Sequence, residues 1–278
     1  MTASLLLRSS NFASKCRSIT INGVTGSYAL DANWRSGFRQ VGKAYSGRYN
    51  GGEVGEIAVK AIIWDFDGTL VDTETPQFLA WQQVFGEFGA RLEPEVWGKM
   101  VGTVTDWDLF DVLEEALGQA IDRRTLMRQV ERLIAANMEE ALLRPGVLAL
   151  VEQSDGLGIR QAVASSSPRW WIRKFLSHHG LQGYFSVIAA ADDVRRVKPD
   201  PEVYLTALSR LSIRASEAVA IEDSPHGARA ALAAGIQCVV IPNPSTQDLQ
   251  FPTGVLRLES LEGVGVSGLR AFLKNRTI

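Results

Sequence analysis

Two aspartates end a run of apolar residues in the segment AIIWDFDGTLVDTE, residues 61–74. Asp65 and Asp67 are two positions apart, and alternate side chains of an extended chain point to the same face. Their carboxylates would therefore face the same way and repel each other. A cation nearby, or a proton held by one of the two carboxyl groups, must relieve that repulsion. The pair predicts a charged site at the end of a buried strand.

Further polar residues stand at or near the ends of later predicted strands. Ser165 begins a run of three serines, Lys198 follows the next strand region, and Glu222 and Asp223 end the one after it. Ligands of open parallel sheets bind beyond the carboxyl ends of the strands. We therefore expect these residues to meet the aspartate pair at one edge of a sheet.

The predicted cluster combines carboxylates, hydroxyls and one ammonium group. Carboxylate and carbonyl oxygens without His or Cys suit a hard cation such as Mg²⁺. Ser165 and the backbone N–H groups after it, at a predicted helix N-terminus, would hold a phosphate. A carboxylate nucleophile with phosphate and Mg²⁺ is the chemistry of an aspartyl-phosphate intermediate. Gly68 would let the chain turn sharply after the aspartates.

Strands alternate with helices from Val59 onward. The apolar strand VKAIIWDF precedes a helical region, roughly residues 76–143, and helix–strand alternation then resumes. This pattern predicts an α/β fold with a Rossmann-like open parallel sheet and helices on both faces. The helical region reads as an inserted all-helical domain. The predicted boundaries are 57–75 and 144–278 for the core and 76–143 for the insert.

Residues 1–56 differ in composition from the rest of the chain. Before Glu53 the only acidic residue is Asp31, against seven Lys or Arg residues. A basic, Ser-rich start is typical of an organelle transit peptide, and a disordered extension or a mistaken start codon are the alternatives. We expect a poorly ordered segment. The expected compartment is the cytoplasm, or an organelle matrix or stroma if the segment is a transit peptide.

The overall composition of the 278 residues excludes several classes of protein. A formal net charge of −2 gives no argument for binding nucleic acid or an anionic membrane surface. No apolar run reaches the roughly 18 residues of a membrane-spanning helix. The two cysteines, Cys16 and Cys238, make a disulfide framework unexpected.

Four motifs carry a resemblance to a known family. They are DFDGTLVDTE, ASSS, VKPDPEVY and IEDSPHGARAALAAG, in that order along the chain. With them, the chain from about Val59 to its C-terminus resembles a phosphatase of the haloacid dehalogenase superfamily, in the branch that includes β-phosphoglucomutase. The resemblance implies that the helical insert is a small cap, which closes over the site and selects the substrate. It also implies a monomer that acts on a small molecule.

The resemblance also implies a role for each catalytic residue. Asp65 would attack phosphorus, and Asp67 would protonate the leaving oxygen and then activate water. Ser165, with Ser166 beside it, would bind the transferring phosphoryl group. Lys198 would neutralise charge on that group and on Asp65. Positioning and charge neutralisation are most of the catalysis in such a transfer.

The metal site follows from the same resemblance. Mg²⁺ would bind to Asp65, to the backbone carbonyl of Asp67, and to Glu222 and Asp223, directly or through water. These anchors and the second aspartate argue against a dehalogenase, which needs neither.

The helical insert bears on the choice between phosphatase and mutase. Gln77 stands where the mutase branch keeps a histidine, and the segment MVGTVTDWD lacks the arginine of the mutase. We therefore expect a phosphoric monoester hydrolase acting on a small phosphorylated metabolite such as a sugar phosphate. A phosphosugar mutase and a non-catalytic binding or regulatory protein are the alternatives. Gln77, Thr105 and Arg169 are the candidate substrate contacts.

Aromatic residues and serines near these motifs have simpler structural interpretations. Trp81, Trp97 and Trp107 are expected in the core, with substrate stacking as the alternative. Trp170 and Trp171 are expected to pack a helix against the sheet. Ser166 or Ser167 is expected to cap that helix.

Overall fold

The computed structural model describes residues 20–21, 24–25, 59–103, 105–106, 108–138 and 142–274. The chain divides into two compact units, Met1–Val54 and Gly55–Ile278. In the first unit, strand β1 (Thr20–Ile21) pairs antiparallel with β2 (Val24–Thr25). The predictions of a targeting or poorly ordered segment otherwise fall outside the described residues.

The second unit is built on a six-stranded sheet in which every neighbouring pair is parallel. Its strands are β3 (Ala61–Trp64), β4 (Arg160–Ala164), β5 (Val187–Ala189), β6 (Ala218–Glu222), β7 (Gln237–Val240) and β8 (Leu256–Arg257). Their spatial order is β5-β4-β3-β6-β7-β8. The predicted α/β fold with an open parallel sheet is confirmed.

The sequence of β3 is apolar throughout because both faces of the strand are buried. Ile62 and Trp64 belong to one buried cluster, and Ala61 and Ile63 belong to another. Alternate side chains of a strand point to opposite faces, so a strand covered on both sides must be apolar at every position. The buried run before Asp65 is therefore the central strand of a covered sheet.

Helices cover both faces of the sheet. These are α5 (Val147–Gly156), α6 (Arg169–His178), α7 (Glu202–Leu211), α8 (Pro225–Ala233) and α9 (Val266–Lys274). The clusters on the two sides of the sheet place α5, α6 and α9 on one face and α7 and α8 on the other. Of the described helices, none combines the length and apolar character that crossing a membrane requires.

Four helices lie between β3 and α5 in the part of the chain that the structure describes. They are α1 (Glu74–Glu87), α2 (Pro94–Trp97), α3 (Leu109–Leu117) and α4 (Arg123–Met138). They share a hydrophobic cluster of their own, which includes Val84, Phe85 and Leu113. Asp108 and Asp111 form a capping box at the start of α3. That the insert is a separate domain over 76–143 stays a prediction.

The strand order places a crevice beside β3. From β3 the chain continues to β4 and β5 on one side of the sheet and to β6, β7 and β8 on the other. Open parallel sheets bind ligands where the order reverses in this way, beyond the carboxyl ends of the strands. Asp65 follows β3 at this point.

Candidate active site

Lys198 lies between two buried carboxylates at the carboxyl edge of the sheet. Its ammonium group, 1% exposed, donates to Asp65 Oδ1, and it donates to Glu222 Oε1 at 2.7 Å. The Tyr204 hydroxyl donates to the same Glu222 oxygen at 2.6 Å. Burial alone would lower the pKa of Lys198, but the charges of Asp65 and Glu222 outweigh it and hold that pKa above its usual range. Lys198 is therefore a fixed cation in contact with Asp65.

Three buried acidic side chains form a potential metal site. Asp65, Glu222 and Asp223 each offer a carboxylate oxygen, and these oxygens lie within 4.8 Å of one another. Burial raises the pKa of Asp65 well above its usual value; the charges of Glu222 and Asp223 add to this and Lys198 opposes it. Burial likewise raises the pKa of Asp223 to about 7. One ammonium group does not balance three carboxylates, and a set of carboxylate oxygens fits a hard divalent cation.

Asp67 is held by hydrogen bonds instead. Its Oδ1 accepts from the Thr73 hydroxyl at 2.6 Å and from the Trp171 indole N–H at 2.8 Å, and its Oδ2 accepts from the Ser167 hydroxyl at 2.5 Å. An ionised carboxylate can only accept hydrogen bonds, and these three donors meet that need. The Asp65 carboxyl group is thus stabilised by a cation, Lys198, whereas the Asp67 carboxyl group is stabilised by hydrogen bonds from uncharged donors.

Ser165 and Ser166 follow β4 and make different contacts. Ser165 is buried, its N–H donates to the Ala189 carbonyl at 3.0 Å, and its Oγ accepts from the Ser167 N–H at 3.0 Å. The Ser166 hydroxyl donates to the Gly102 carbonyl at 3.0 Å. Ser165 thus lies at the end of its strand, and Ser166 connects the core to the helical insert.

The prediction that Ser166 or Ser167 caps the next helix is wrong. Helix α6 begins at Arg169, and its N-cap residue is Pro168, which has no side-chain acceptor. The Asp192 carboxylate accepts from the Arg169 N–H at 2.6 Å instead. The Ser166 and Ser167 hydroxyls are instead used by Gly102 and Asp67. A contact with a distant part of the chain replaced the local cap.

Glu74 and Asn243 belong to the site, although no role is predicted for them from the sequence. Asn243 Nδ2 donates to Asp223 Oδ2 at 2.6 Å and to Glu74 Oε2 at 3.0 Å. Burial, with the charge of Asp223 adding to it, raises the pKa of Glu74 well above its usual value. Asn243 stands three residues after the end of β7. It is therefore another polar residue near the carboxyl end of a strand, the feature that marks Ser165 and Asp223.

Gly68 permits the close approach of these groups. Its φ is +78°, and a Cβ there would lie 2.2 Å from Asp223 Oδ2 and 2.8 Å from Glu74 Oε2. A side chain would therefore be strained in its backbone and would collide with two carboxylates. The predicted sharp turn after the aspartate pair is present.

A cavity of about 490 Å³ opens over Asp65 and Asp67. The core lines it with those aspartates and with the serine run from Ser165 to Ser167, and α1 contributes Glu74 and Gln77. The other lining residues are mostly apolar, namely Trp81, Trp97, Met100, Val101, Gly102, Thr103, Ile134, Pro168, Trp170 and Trp171. The catalytic candidates thus share one cavity with the helical insert.

Two of the three candidate substrate contacts do not line this cavity. Gln77 does, whereas Thr105 and Arg169 are not among its described lining residues. The Arg169 guanidinium donates to the Ile188 carbonyl at 2.9 Å and to the Asp193 carboxylate. These contacts hold the Arg169 side chain against the strand β5 region, away from the cavity.

The tryptophans divide between packing and lining. Trp81 and Trp97 pack within the cluster of the helical insert and also line the cavity. Trp107 lies outside the described residues. Trp171 packs against the core as expected, but Trp170 is 64% exposed and lines the cavity, so its predicted packing against the sheet is wrong.

The segment 101–103 joins the helical insert to the core. Besides the Ser166 contact, the Thr103 hydroxyl donates to the Lys198 carbonyl, and a His226 ring nitrogen lies 3.1 Å from the Val101 carbonyl. Gly102 has a φ of +75°, and a Cβ there would lie 2.4 Å from Ser224 Oγ. This segment can approach the core only because Gly102 has no side chain.

Replacing Gly102 by Ala should lower kcat/KM about 100-fold, because an added Cβ would push segment 101–103 away from the core, and a displacement of about 1 Å in an active site can lower the rate by that factor. Gly89→Ala is the matched control. Gly89 has a φ of +71°, similar to that of Gly102, but a Cβ there meets no atom within 4 Å. We expect the control to lose about 1 kcal/mol of stability and to keep its kcat/KM. Equal losses of kcat/KM in both variants would contradict a role for the close approach.

The comparisons with known proteins agree with this geometry. A family model described as "Haloacid dehalogenase-like hydrolase" matches residues 62–241. The chain is 41% identical over 203 residues to YhcW of Bacillus subtilis (strain 168), covering 73% of this chain and 92% of that protein. The chain belongs to the haloacid dehalogenase-like hydrolases.

Two further relatives bear on the branch of the family. A Thermotoga maritima protein named "Phosphorylated carbohydrates phosphatase" is 32% identical over 180 residues, or 64% of this chain and 83% of that protein. A crystal structure of CbbY from Rhodobacter sphaeroides in complex with xylulose-(1,5)-bisphosphate is 30% identical, with a TM-score of 0.58, and the match covers 76% of this chain and 99% of that one. The protein is an enzyme of the phosphatase branch, a phosphoric monoester hydrolase.

Proposed function

We propose that the protein is a Mg²⁺-dependent phosphatase that hydrolyses a small phosphorylated metabolite, such as a sugar phosphate, through an aspartyl-phosphate on Asp65. The observation that carries this proposal is the position of Asp65. It lines the cavity while its carboxylate contacts Lys198 and faces the acidic pair Glu222 and Asp223. The Thermotoga maritima relative, named for phosphorylated carbohydrates, supports the substrate class.

The first half of the reaction transfers the phosphoryl group to the protein. Asp65 attacks phosphorus as the bond from phosphorus to the leaving oxygen breaks, and Asp67 gives that oxygen a proton. Ser165 donates a hydrogen bond to the phosphoryl group, and the adjacent Ser166 binds the same group. Lys198 neutralises charge on Asp65 and on the phosphoryl oxygens.

The second half releases phosphate. Asp67 takes a proton from water as the water oxygen attacks phosphorus, and the bond to Asp65 breaks. The Ser167 hydroxyl can donate to the ionised form of Asp67 or accept from its protonated form, so it suits both halves. The Thr73 hydroxyl and Trp171 N–H keep the carboxyl group oriented.

Four groups would hold the metal: the carboxylates of Asp65, Glu222 and Asp223 and the backbone carbonyl of Asp67. Bound there, Mg²⁺ supplies positive charge to the nucleophile and the phosphoryl oxygens. Glu222 has a second task, because one of its oxygens already accepts from Lys198 and Tyr204. Asn243 orients Asp223 from the other side.

The helical insert acts as a cap in this proposal. Residues 76–143 would be the cap, and residues 57–75 with 144–278 the catalytic core. In support, the insert supplies Gln77, Trp81, Trp97 and the segment 100–103 to the cavity wall. The cap would therefore contact the leaving group, while the core holds the phosphoryl group.

A phosphate-release assay on the full chain tests the proposed function. Purified protein is incubated with a panel of phosphate monoesters, including p-nitrophenyl phosphate, with Mg²⁺ or with EDTA. The proposal expects release that requires Mg²⁺ and returns when Mg²⁺ is restored. Release that EDTA leaves unchanged would contradict the metal site, and no release from any ester would contradict the phosphatase.

The stabilising effect of Mg²⁺ should depend on pH. The pKa of Asp223 is raised to about 7 in the folded protein. Between about pH 4 and pH 7 the metal-free protein therefore takes up a proton when it folds, and the stability that this proton contributes is lost as the pH rises through that range. Metal ligands must be deprotonated, so Mg²⁺ should raise the melting temperature more at about pH 8 than at about pH 5. The control, Asp223→Asn, should show little shift at either pH. An equal or larger shift at the lower pH in the unaltered protein would contradict the assignment.

A further inference from the structure

We propose that the cavity selects monophosphates whose leaving group is an uncharged ring with an apolar face, and that it rejects substrates with a second phosphate. The ring can be a cyclic sugar or an aryl group, since both present a flat apolar face. This inference rests on the proposed phosphatase activity and concerns the part of the cavity beyond the phosphoryl group.

The charges around the cavity argue against a second phosphate. Among the described residues that line it, the charged ones are Asp65, Asp67 and Glu74, all acidic. Lys198, the cation of the site, is 1% exposed and already contacts two carboxylates. A second phosphate would enter a region where none of the described lining residues offers a cation to pair with, and burying an unpaired charge is costly.

Two tryptophans of the helical insert, Trp81 and Trp97, form part of the cavity wall. The ring centre of Trp97 lies 5.3 Å from that of Phe78, and the ring centre of Trp81 lies 5.0 Å from that of Phe110. Aromatic packing of this kind fixes both indoles in place. Fixed indole surfaces favour ligands with a flat apolar face, because such a ligand loses water without losing hydrogen bonds.

One polar side chain in this wall, Gln77, matches a ring that carries hydroxyl groups. Gln77 is oriented by the bond from its Nε2 to the Thr73 carbonyl at 3.0 Å, which leaves its amide oxygen as an acceptor.

Matched substrates test the proposal. We would measure kcat/KM for glucose 6-phosphate, for glucose 1,6-bisphosphate with its second phosphate, and for sorbitol 6-phosphate with its open chain. The ring monophosphate should exceed the bisphosphate by about 100-fold and the open-chain ester by about tenfold. p-Nitrophenyl phosphate provides the aryl arm, and its ratio to glucose 6-phosphate tells which ring the wall prefers.

Met100→Lys tests the charge argument by adding a cation to the cavity wall. The ratio of kcat/KM for the bisphosphate to that for the monophosphate should rise at least about tenfold. Met127→Lys is the matched control, because Met127 is an exposed residue of α4 that does not line the cavity. It should leave the ratio unchanged.

Gln77→Leu tests the amide oxygen while keeping a side chain of similar size. The KM for glucose 6-phosphate should rise with little change in kcat, and the constants for p-nitrophenyl phosphate, which has no ring hydroxyl groups, should change less. The inference would be overturned if kcat/KM for the bisphosphate equalled that for the ring monophosphate, or if kcat/KM for the open-chain ester did. Either result would leave the proposed phosphatase activity unaffected. If no ester at all is hydrolysed, the proposed function fails and the inference fails with it.

Discussion

Asp65→Asn is expected to lower kcat for phosphate release by at least about 10⁴-fold, the scale of losing a nucleophile. The amide keeps the shape of the carboxyl group but cannot form the bond to phosphorus. The fold should survive, because burial already raises the pKa of Asp65 and a neutral side chain relieves that penalty. Steady-state kinetics and thermal melting measure the two effects separately.

Asp72→Asn is the matched control for this variant. Asp72 is an acidic residue of the same segment, its Oδ1 accepts from the Thr75 N–H at 3.1 Å, and it does not line the cavity. We expect this control to lose about 1 kcal/mol of stability at most and to keep its kcat. An Asp65→Asn protein that is folded and retains a tenth of the activity would contradict the assignment of the nucleophile.

Lys198→Met is expected to destabilise the protein by about 3–5 kcal/mol, since it leaves two buried carboxylates without their cation. The measurement is the free energy of unfolding in urea without Mg²⁺. Lys60→Met is the matched control, because Lys60 pairs with Glu217 at 2.7 Å but is 54% exposed. Exposed pairs contribute about 0–1 kcal/mol.

A double variant separates charge from packing at this position. In Lys198→Met with Glu222→Gln, one of the two uncompensated carboxylates is removed, and the Tyr204 hydroxyl can still donate to the amide oxygen of the substituted side chain. We expect the double variant to recover at least about 1 kcal/mol relative to Lys198→Met, without recovering activity. A single variant no less stable than Lys60→Met would show that Lys198 does not balance these acids.

Much of the site could be predicted from the sequence because its residues follow strands. Asp65 and Ser165 each stand directly after an apolar run, and Glu222 and Asp223 end another. A parallel sheet brings the carboxyl ends of its strands to one edge, whatever the length of chain between them. The same regularity explains why the alternation of strands and helices that the sequence predicts is present in the fold.

The contacts that were missed or wrongly predicted depend on packing between distant segments. Trp171 reaches Asp67 across 104 positions of sequence, and no periodic pattern marks that contact. Ser167 was expected to cap a helix, but its hydroxyl donates to Asp67 Oδ2, a partner 100 positions away in the sequence. The Arg169 guanidinium donates to the Asp193 carboxylate and to the Ile188 carbonyl, partners that the sequence did not indicate, and its contact with a substrate stays a prediction. In each case the side chain bonds to a residue distant in the sequence, and a local sequence pattern does not indicate such a partner.

The covalent step on Asp65 is the central claim, and trapping the phosphoryl-protein tests it most directly. Asp67→Asn should retain the nucleophile but fail to activate water. With acetyl phosphate, whose leaving group needs no proton, and Mg²⁺, this variant should accumulate one phosphoryl group. Mass spectrometry of the acid-quenched digest should locate it on Asp65. A phosphoryl group on another residue, or turnover of acetyl phosphate by the unaltered protein with none trapped in the variant, would contradict the account.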